Sequence, residues 1–133
     1  MINYINREIL KSSSGLDYIV KPEAPNSIEA LMQSSSLVIW DGESNNTVFD
    51  DAKVNFAFRA LHDSMHLETG LDFSPEQEIE LGRIQASRLA ADCKGFLADL
   101  FYIEIAEQAK YYLKNGVFVD DQRSFTLDLL KLN

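Results

Sequence analysis

His62 and His66 are the only two histidines of the chain, and four residues separate them. On a helix, residues at i and i+4 project side by side from one face. Two imidazoles so placed can grip one ion, which is the use made of them in helix-borne zinc motifs. Asp63 lies between them in the stretch "FRALHDSMHLETG". It is read as the residue that orients a histidine or a metal-bound water.

Histidine pairs need further ligands, and helical phase says where to look. Successive helix residues turn by about 100°. In "SPEQEIELGRIQ", Glu76 and Glu80 point away from the apolar residues, whereas Glu78 lies on their flank. In "FLADLFYIEIAEQAKYY", Glu104 and Gln108 fall one turn apart in the middle of the face made by Leu97, Leu100, Phe101, Ile105, Tyr111 and Tyr112. A carboxylate buried there needs a partner or a cation. The expectation is therefore a divalent metal ion held by His62, His66, Glu78 and Glu104, with Asp63 or Gln108 orienting water. Four protein ligands leave a catalytic ion little open space, so one of them then serves another role, such as a base. Imidazole with carboxylate suits zinc first, then manganese or iron. The rival expectation is an ion-pair network in which Arg59 compensates Glu104 and the histidines are neutral and hydrogen-bonded.

The elements that would position these groups read as mainly helical. Asp50 or Asp51 caps a helix that runs to about Glu68 and stops at Gly70. Its Val54, Ala57, Phe58, Leu61 and Met65 share an apolar face, edged by the stripe Asn55, Arg59, His62 and His66, with a second apolar group of Phe56, Ala60 and Leu67 beyond. Ser74-Pro75-Glu76-Gln77 opens a second helix, with serine at the N-cap and proline at N1. It extends to about Lys94, with Ile79, Gly82, Ala86, Leu89, Ala90 and Cys93 inward. A third helix spans about Phe96 to Asn115 and ends at Gly116. Asp120 or Asp121 opens a last one, with Phe125, Leu129 and Leu132 inward. The first 48 residues read as irregular, with strand pieces in "LDYIVKP" and "SLVIWDG". A short helix lies between them, capped at Asn26 with Glu29 three residues on. The predicted fold is mainly α: a single helical domain over 1–133, with three long helices, short terminal helices and a small β element near the N-terminus. Residues 1–48 form the irregular, β-containing part, and residues 49–133 form the helical core.

Bulk properties narrow the functional classes. A chain of 133 residues suits one compact domain. Twelve basic against 21 acidic residues give a net charge of −9, with no basic stripe, so nucleic acid is not an expected partner. No apolar run approaches the about 18 residues of a membrane span, and "MINYINREIL", without a basic segment followed by an apolar stretch, does not read as a signal peptide. The single cysteine excludes an internal disulfide and a cysteine-rich zinc site, and it fits a reducing cytoplasm. No glycine-rich phosphate loop and no nucleophile triad appear.

The segment "NFAFRALHDSMHLETGLDFSPEQEIELGRIQ", joined further on by "YIEIAEQAKYY", resembles an uncharacterised family of tailed-phage proteins. That family also occurs as a module of phage polyvalent proteins. Its pattern is N-x-x-F-R-x-x-H-D, a second histidine, a glycine and a phenylalanine, then a glutamate on the next helix and Glu-x-x-x-Gln on a later one. Here those positions are Asn55, Phe58, Arg59, His62, Asp63, His66, Gly70, Phe73, Glu78, Glu104 and Gln108. The match covers about half of the chain. It departs in the histidine spacing, which is longer by one residue in much of the family. The resemblance implies a phage origin, hence the host cytoplasm, and a shared polar site, but no activity. His62-Asp63-x-x-His66 also resembles the zinc-peptidase helix motif. There the base is a glutamate, and aspartate is one methylene shorter. Two expectations result. One is a small phage-type helical metalloprotein acting as a metal-dependent hydrolase on an unknown small molecule. The other is a non-enzymatic phage protein that binds a host protein, its His/Glu/Arg cluster serving only as a core network. Either is compatible with a homo-oligomer.

Overall fold

The computed structural model describes residues 2–92 and 94–131, so the inward positions expected for Cys93 and Leu132 fall outside the described residues. The fold is mainly helical, with one small two-stranded sheet among the described residues. The chain divides into two compact units, Met1–Gly70 and Leu71–Asn133.

The first unit opens with helix α1, Ile2–Ser13, where the sequence reading expected irregular chain. Its physical reason is burial. Ile5 and Ile9 sit one turn apart and are almost wholly enclosed. Burying each contributes roughly 1.5–3 kcal/mol. Strands β1 (Tyr18–Lys21) and β2 (Leu37–Trp40) pair in parallel, Tyr18 opposite Leu37 and Lys21 opposite Trp40. Parallel strands need a crossover. Here it carries α2, Ile28–Gln33, whose cap is Ser27 rather than Asn26: the Ser27 side chain accepts from the Ala30 N–H. The long helix α3, Ala52–Thr69, begins at Asp51, which accepts from the Lys53 N–H. It ends at Gly70, whose φ of 76° is the left-handed conformation that glycine adopts most cheaply. Helices α1 and α2 and strand β2 pack on α3. The enclosed residues include Ile39, Val48, Phe49, Val54, Ala57 and Phe58. Leu67, expected in a second apolar group, is instead exposed.

In the second unit, α4 (Pro75–Ala91) starts as its sequence dictates. Ser74 Oγ accepts from the Gln77 N–H, and Gln77 Oε1 in turn accepts from the Asp72 N–H at 2.6 Å. The helix stops at Ala91, three residues short of the expected Lys94. Its buried residues are Leu81, Gly82 and Gln85, while Ala90 is exposed, so the inward face is rotated from the one expected. At Gly82, which both faces share, the packing is close. A Cβ on Gly82 would lie 3.0 Å from the Ala106 Cβ and 3.2 Å from the Ala106 nitrogen. The bare glycine is what allows α4 this near its neighbour.

That neighbour is the expected third helix, in three parts. Helix α5 (Gly95–Tyr102) passes into a π-helical turn, Ile103–Glu107, and then into α6, Gln108–Asn115. Gly116, at φ 73°, ends it. A π turn carries an extra residue per turn, shifts the phase of the helix beyond it and is frequent at functional sites. Helix α7, Gln122–Leu130, is capped by Asp121 and packs on α5 and the π turn. No helix of the described residues is long and apolar enough to cross a membrane.

Candidate metal centre

On α3 the two histidines meet as their spacing requires. Their Nε2 atoms are 3.1 Å apart, and the rings stand edge to face at 73°. His66 has no exposed surface, and His62 is half-buried. Phe58, one turn earlier, lies nearly parallel to the His62 ring at 6.5 Å. Asp63 completes the group: one ligand atom from each of His62, Asp63 and His66 can be chosen so that all lie within 4.8 Å of one another.

The 3.1 Å separation can be compared with coordination chemistry. Zinc–imidazole bonds are about 2.0–2.1 Å, so two nitrogens on one ion stand about 2.9 Å apart at a right angle and about 3.3 Å apart at the tetrahedral angle. The observed pair falls between these. The same distance also suits an N–H···N hydrogen bond when one imidazole donates to the other. The donor set of two imidazoles and a carboxylate fits zinc, iron or manganese. Asp63, expected only to orient water or a histidine, is near enough to serve as a third ligand.

Asn55 and Arg59 belong to the same stripe but do different work. The Asn55 Nδ2 donates to the buried Ser44 Oγ at 2.9 Å. Arg59 donates through Nη1 to the Trp40 carbonyl at 2.7 Å, and more weakly through Nη2 to the Glu43 carbonyl at 3.4 Å. Its guanidinium also lies over the Trp40 ring at 5.2 Å. The loop so held turns through left-handed backbone at Glu43 and Asp50, at φ 53° and 55°. Gly42 is needed there, since a Cβ would fall 2.0 Å from the Trp40 indole. The stripe is thus a loop clamp at its N-terminal end and carries the histidine pair at its C-terminal end.

The carboxylates expected from the sequence lie in the second unit. Glu104 sits in the π turn and is half-buried, not fully enclosed. Thr126 Oγ1 donates to its Oε1 at 2.5 Å, and Gln108 Nε2 donates to its Oε2 at 3.2 Å. Both oxygens therefore act as acceptors, the role of an ionised carboxylate. Thr126 is fully buried on α7, and the sequence reading missed it. Its only signal was a hydroxyl between Phe125 and Leu127 on a helix with apolar neighbours. Glu78 is half-buried while Glu76 and Glu80 are exposed, the order that helical phase requires. Glu80 pairs with Arg83 on the surface at 2.7 Å. Glu78 instead lines a cleft with Phe73, Pro75, Ala109, Tyr112 and Phe118. The expected shell of His62, His66, Glu78 and Glu104 thus takes its histidines from the first unit and its carboxylates from the second.

No known family model, curated protein or solved structure matches the chain.

Proposed function

We propose that the protein binds one divalent metal ion through His62 Nε2, His66 Nε2 and the Asp63 carboxylate, and that it is a phage-type protein acting as a metal-dependent hydrolase. The observation supporting this is the 3.1 Å separation of the two Nε2 atoms with a carboxylate beside them. Three protein ligands leave a coordination position open. A metal there supplies Lewis acidity and lowers the pKa of a bound water. The burial of His66 and the stacking of Phe58 on His62 hold the imidazoles in place, so little ordering is needed on binding.

Elemental analysis of protein purified without chelator tests the reading. Stoichiometric zinc, iron or manganese is expected, removed by chelation and restored on refilling. His62→Ala, a change at a half-buried position, should abolish retention while leaving the fold intact by circular dichroism. Metal-free protein that binds none of the three ions would refute it. Glu78→Gln and Glu104→Gln, measured alongside, tell whether either carboxylate enters the shell. Hydrolysis of simple esters and phosphodiesters, lost on chelation, tests the enzymatic part.

A second reading is a non-enzymatic phage protein that binds a host partner. The way Asn55 and Arg59 direct their donors to a loop favours it, because such a cluster can serve the core alone. It becomes the better account if no metal is retained.

A further inference from the structure

Strand β1 packs on β2 along one side, and its Ile19, Val20 and Lys21 are all exposed. A strand at the edge of a sheet offers backbone donors and acceptors to any chain that can pair with it. Which residues of β1 offer them follows from the ladder to β2. The Asp41 N–H donates to the Lys21 carbonyl at 3.0 Å, so Lys21 turns its backbone groups toward β2. In a parallel ladder alternate residues do this, which makes Ile19 the other. Tyr18 and Val20 then direct both N–H and C=O to the outer side. We propose that a second copy of this chain pairs there, the two β1 strands running antiparallel with Ile19 opposite the partner's Ile19.

A two-fold axis makes such an interface self-complementary: residue i meets residue j, and j meets i. In an antiparallel ladder the outward-directed residues must meet one another, since they exchange the hydrogen bonds. Three registers satisfy this, and charge selects among them. With Val20 opposite Val20, Asp17 falls opposite Glu23, and like charges directly opposite destabilise a sheet. With Tyr18 opposite Tyr18, Asp17 falls opposite Ile19 and Lys21 opposite Gly15, so no charge is matched. With Tyr18 opposite Val20, Asp17 falls opposite Lys21 at both ends of the pairing. Neither of these two side chains has a partner among the described residues. Between them stand Tyr18 with Val20, twice, and Ile19 with itself, the aromatic and β-branched pairs that favour sheets. Val20 is the register partner of the enclosed Ile39, so the partner's Tyr18 extends the apolar layer that Ile39 begins. A lysine on an edge strand ordinarily discourages pairing. A copy of this chain is the partner that brings the matching carboxylate. The net charge of −9 opposes the approach of two copies, but salt screens it beyond about 8 Å at physiological strength.

Sedimentation equilibrium of the full chain at physiological salt tests this. The range runs from about 10 μM to about 1 mM, because a few paired strand residues bury less than the roughly 1,000 Å² of a stable interface. A reversible monomer–dimer equilibrium is expected. Asp17→Lys and Lys21→Asp, both at exposed positions, should each weaken it at least about tenfold by setting like charges opposite at both ends. Asp17→Lys also reduces the negative net charge, so a weaker dimer there reports the local pair and not overall repulsion. Mixed in equal amounts, the two variants should recover the wild-type association, since every pair is again opposite in sign. Val20→Pro removes an outward N–H while leaving the ladder to β2 intact, and it should abolish the dimer. Circular dichroism like that of wild type shows that each variant is folded. A chain that stays monomeric throughout would overturn the proposal. So would a dimer that survives Val20→Pro, or single variants that do not complement each other on mixing.

Discussion

Replacing Thr126 with valine removes one hydroxyl and almost nothing else. The two side chains have nearly the same shape, and Thr126 is fully buried, so the packing of α7 is retained. The loss is the 2.5 Å hydrogen bond to Glu104 Oε1. Hydrogen bonds to charged groups contribute about 1.5–3 kcal/mol. Glu104 is half-buried, so water can partly replace the hydroxyl, which places the cost near the low end, about 1.5 kcal/mol. Urea denaturation of wild type and Thr126→Val should show this as a lower midpoint with an unchanged slope. Thr126→Ser keeps the donor and should recover most of the loss. The contact itself is isolated by a cycle with Glu104→Gln, where a coupling of about 1 kcal/mol or more is expected between the two positions. If Thr126→Val matches wild type within about 0.5 kcal/mol, or the cycle shows no coupling, then the hydroxyl does not hold Glu104.

Two further substitutions test the second unit. Gly82→Ala should cost about 1–3 kcal/mol by overpacking, because its new methyl would press on the Ala106 backbone nitrogen as well as its Cβ; a neutral result in urea denaturation would show that α4 can move away freely. The Lys110 ammonium is held above its ordinary value of 10.5, first by its hydrogen bond to Tyr102 and also by Glu107, with the slight burial working the other way. A raised lysine pKa gives stability that is complete below 10.5 and fades as pH climbs through the higher folded value. The stability gap between wild type and Lys110→Met should therefore be flat up to that region and close above it; a gap that widens in alkali would contradict the sign.

Much of this arrangement could be read from short-range signals. Ser74-Pro75, Asp51, Gly70 and Gly116 each act within a turn of themselves, and each marks a real helix end. The histidine pair was legible for the same reason, since i and i+4 on a helix need only the helix. Other features depend on distant residues. Helix α1 carries two asparagines, and the core around Ile5 and Ile9 favours it as a helix. The π turn leaves no mark in "YIEIAEQ", so the single helix expected over Phe96–Asn115 could not reveal it. Thr126 reaches Glu104 across 22 positions of chain, and Arg59 reaches Trp40 across 19. No periodicity encodes either contact.

The stacking of Arg59 on Trp40 has an optical consequence. Trp40 is the chain's single tryptophan, and it lies in the first unit, half open to water with a cation against its face. Its emission is therefore a native lamp for residues around β2 and the start of α3. Far-ultraviolet dichroism, by contrast, sums over every helix of both units. Superimposable melting curves from the two signals would mean that the chain unfolds as one cooperative body. Curves that part would show the units melting separately, and the tryptophan would say which transition belongs to the unit that carries the histidines.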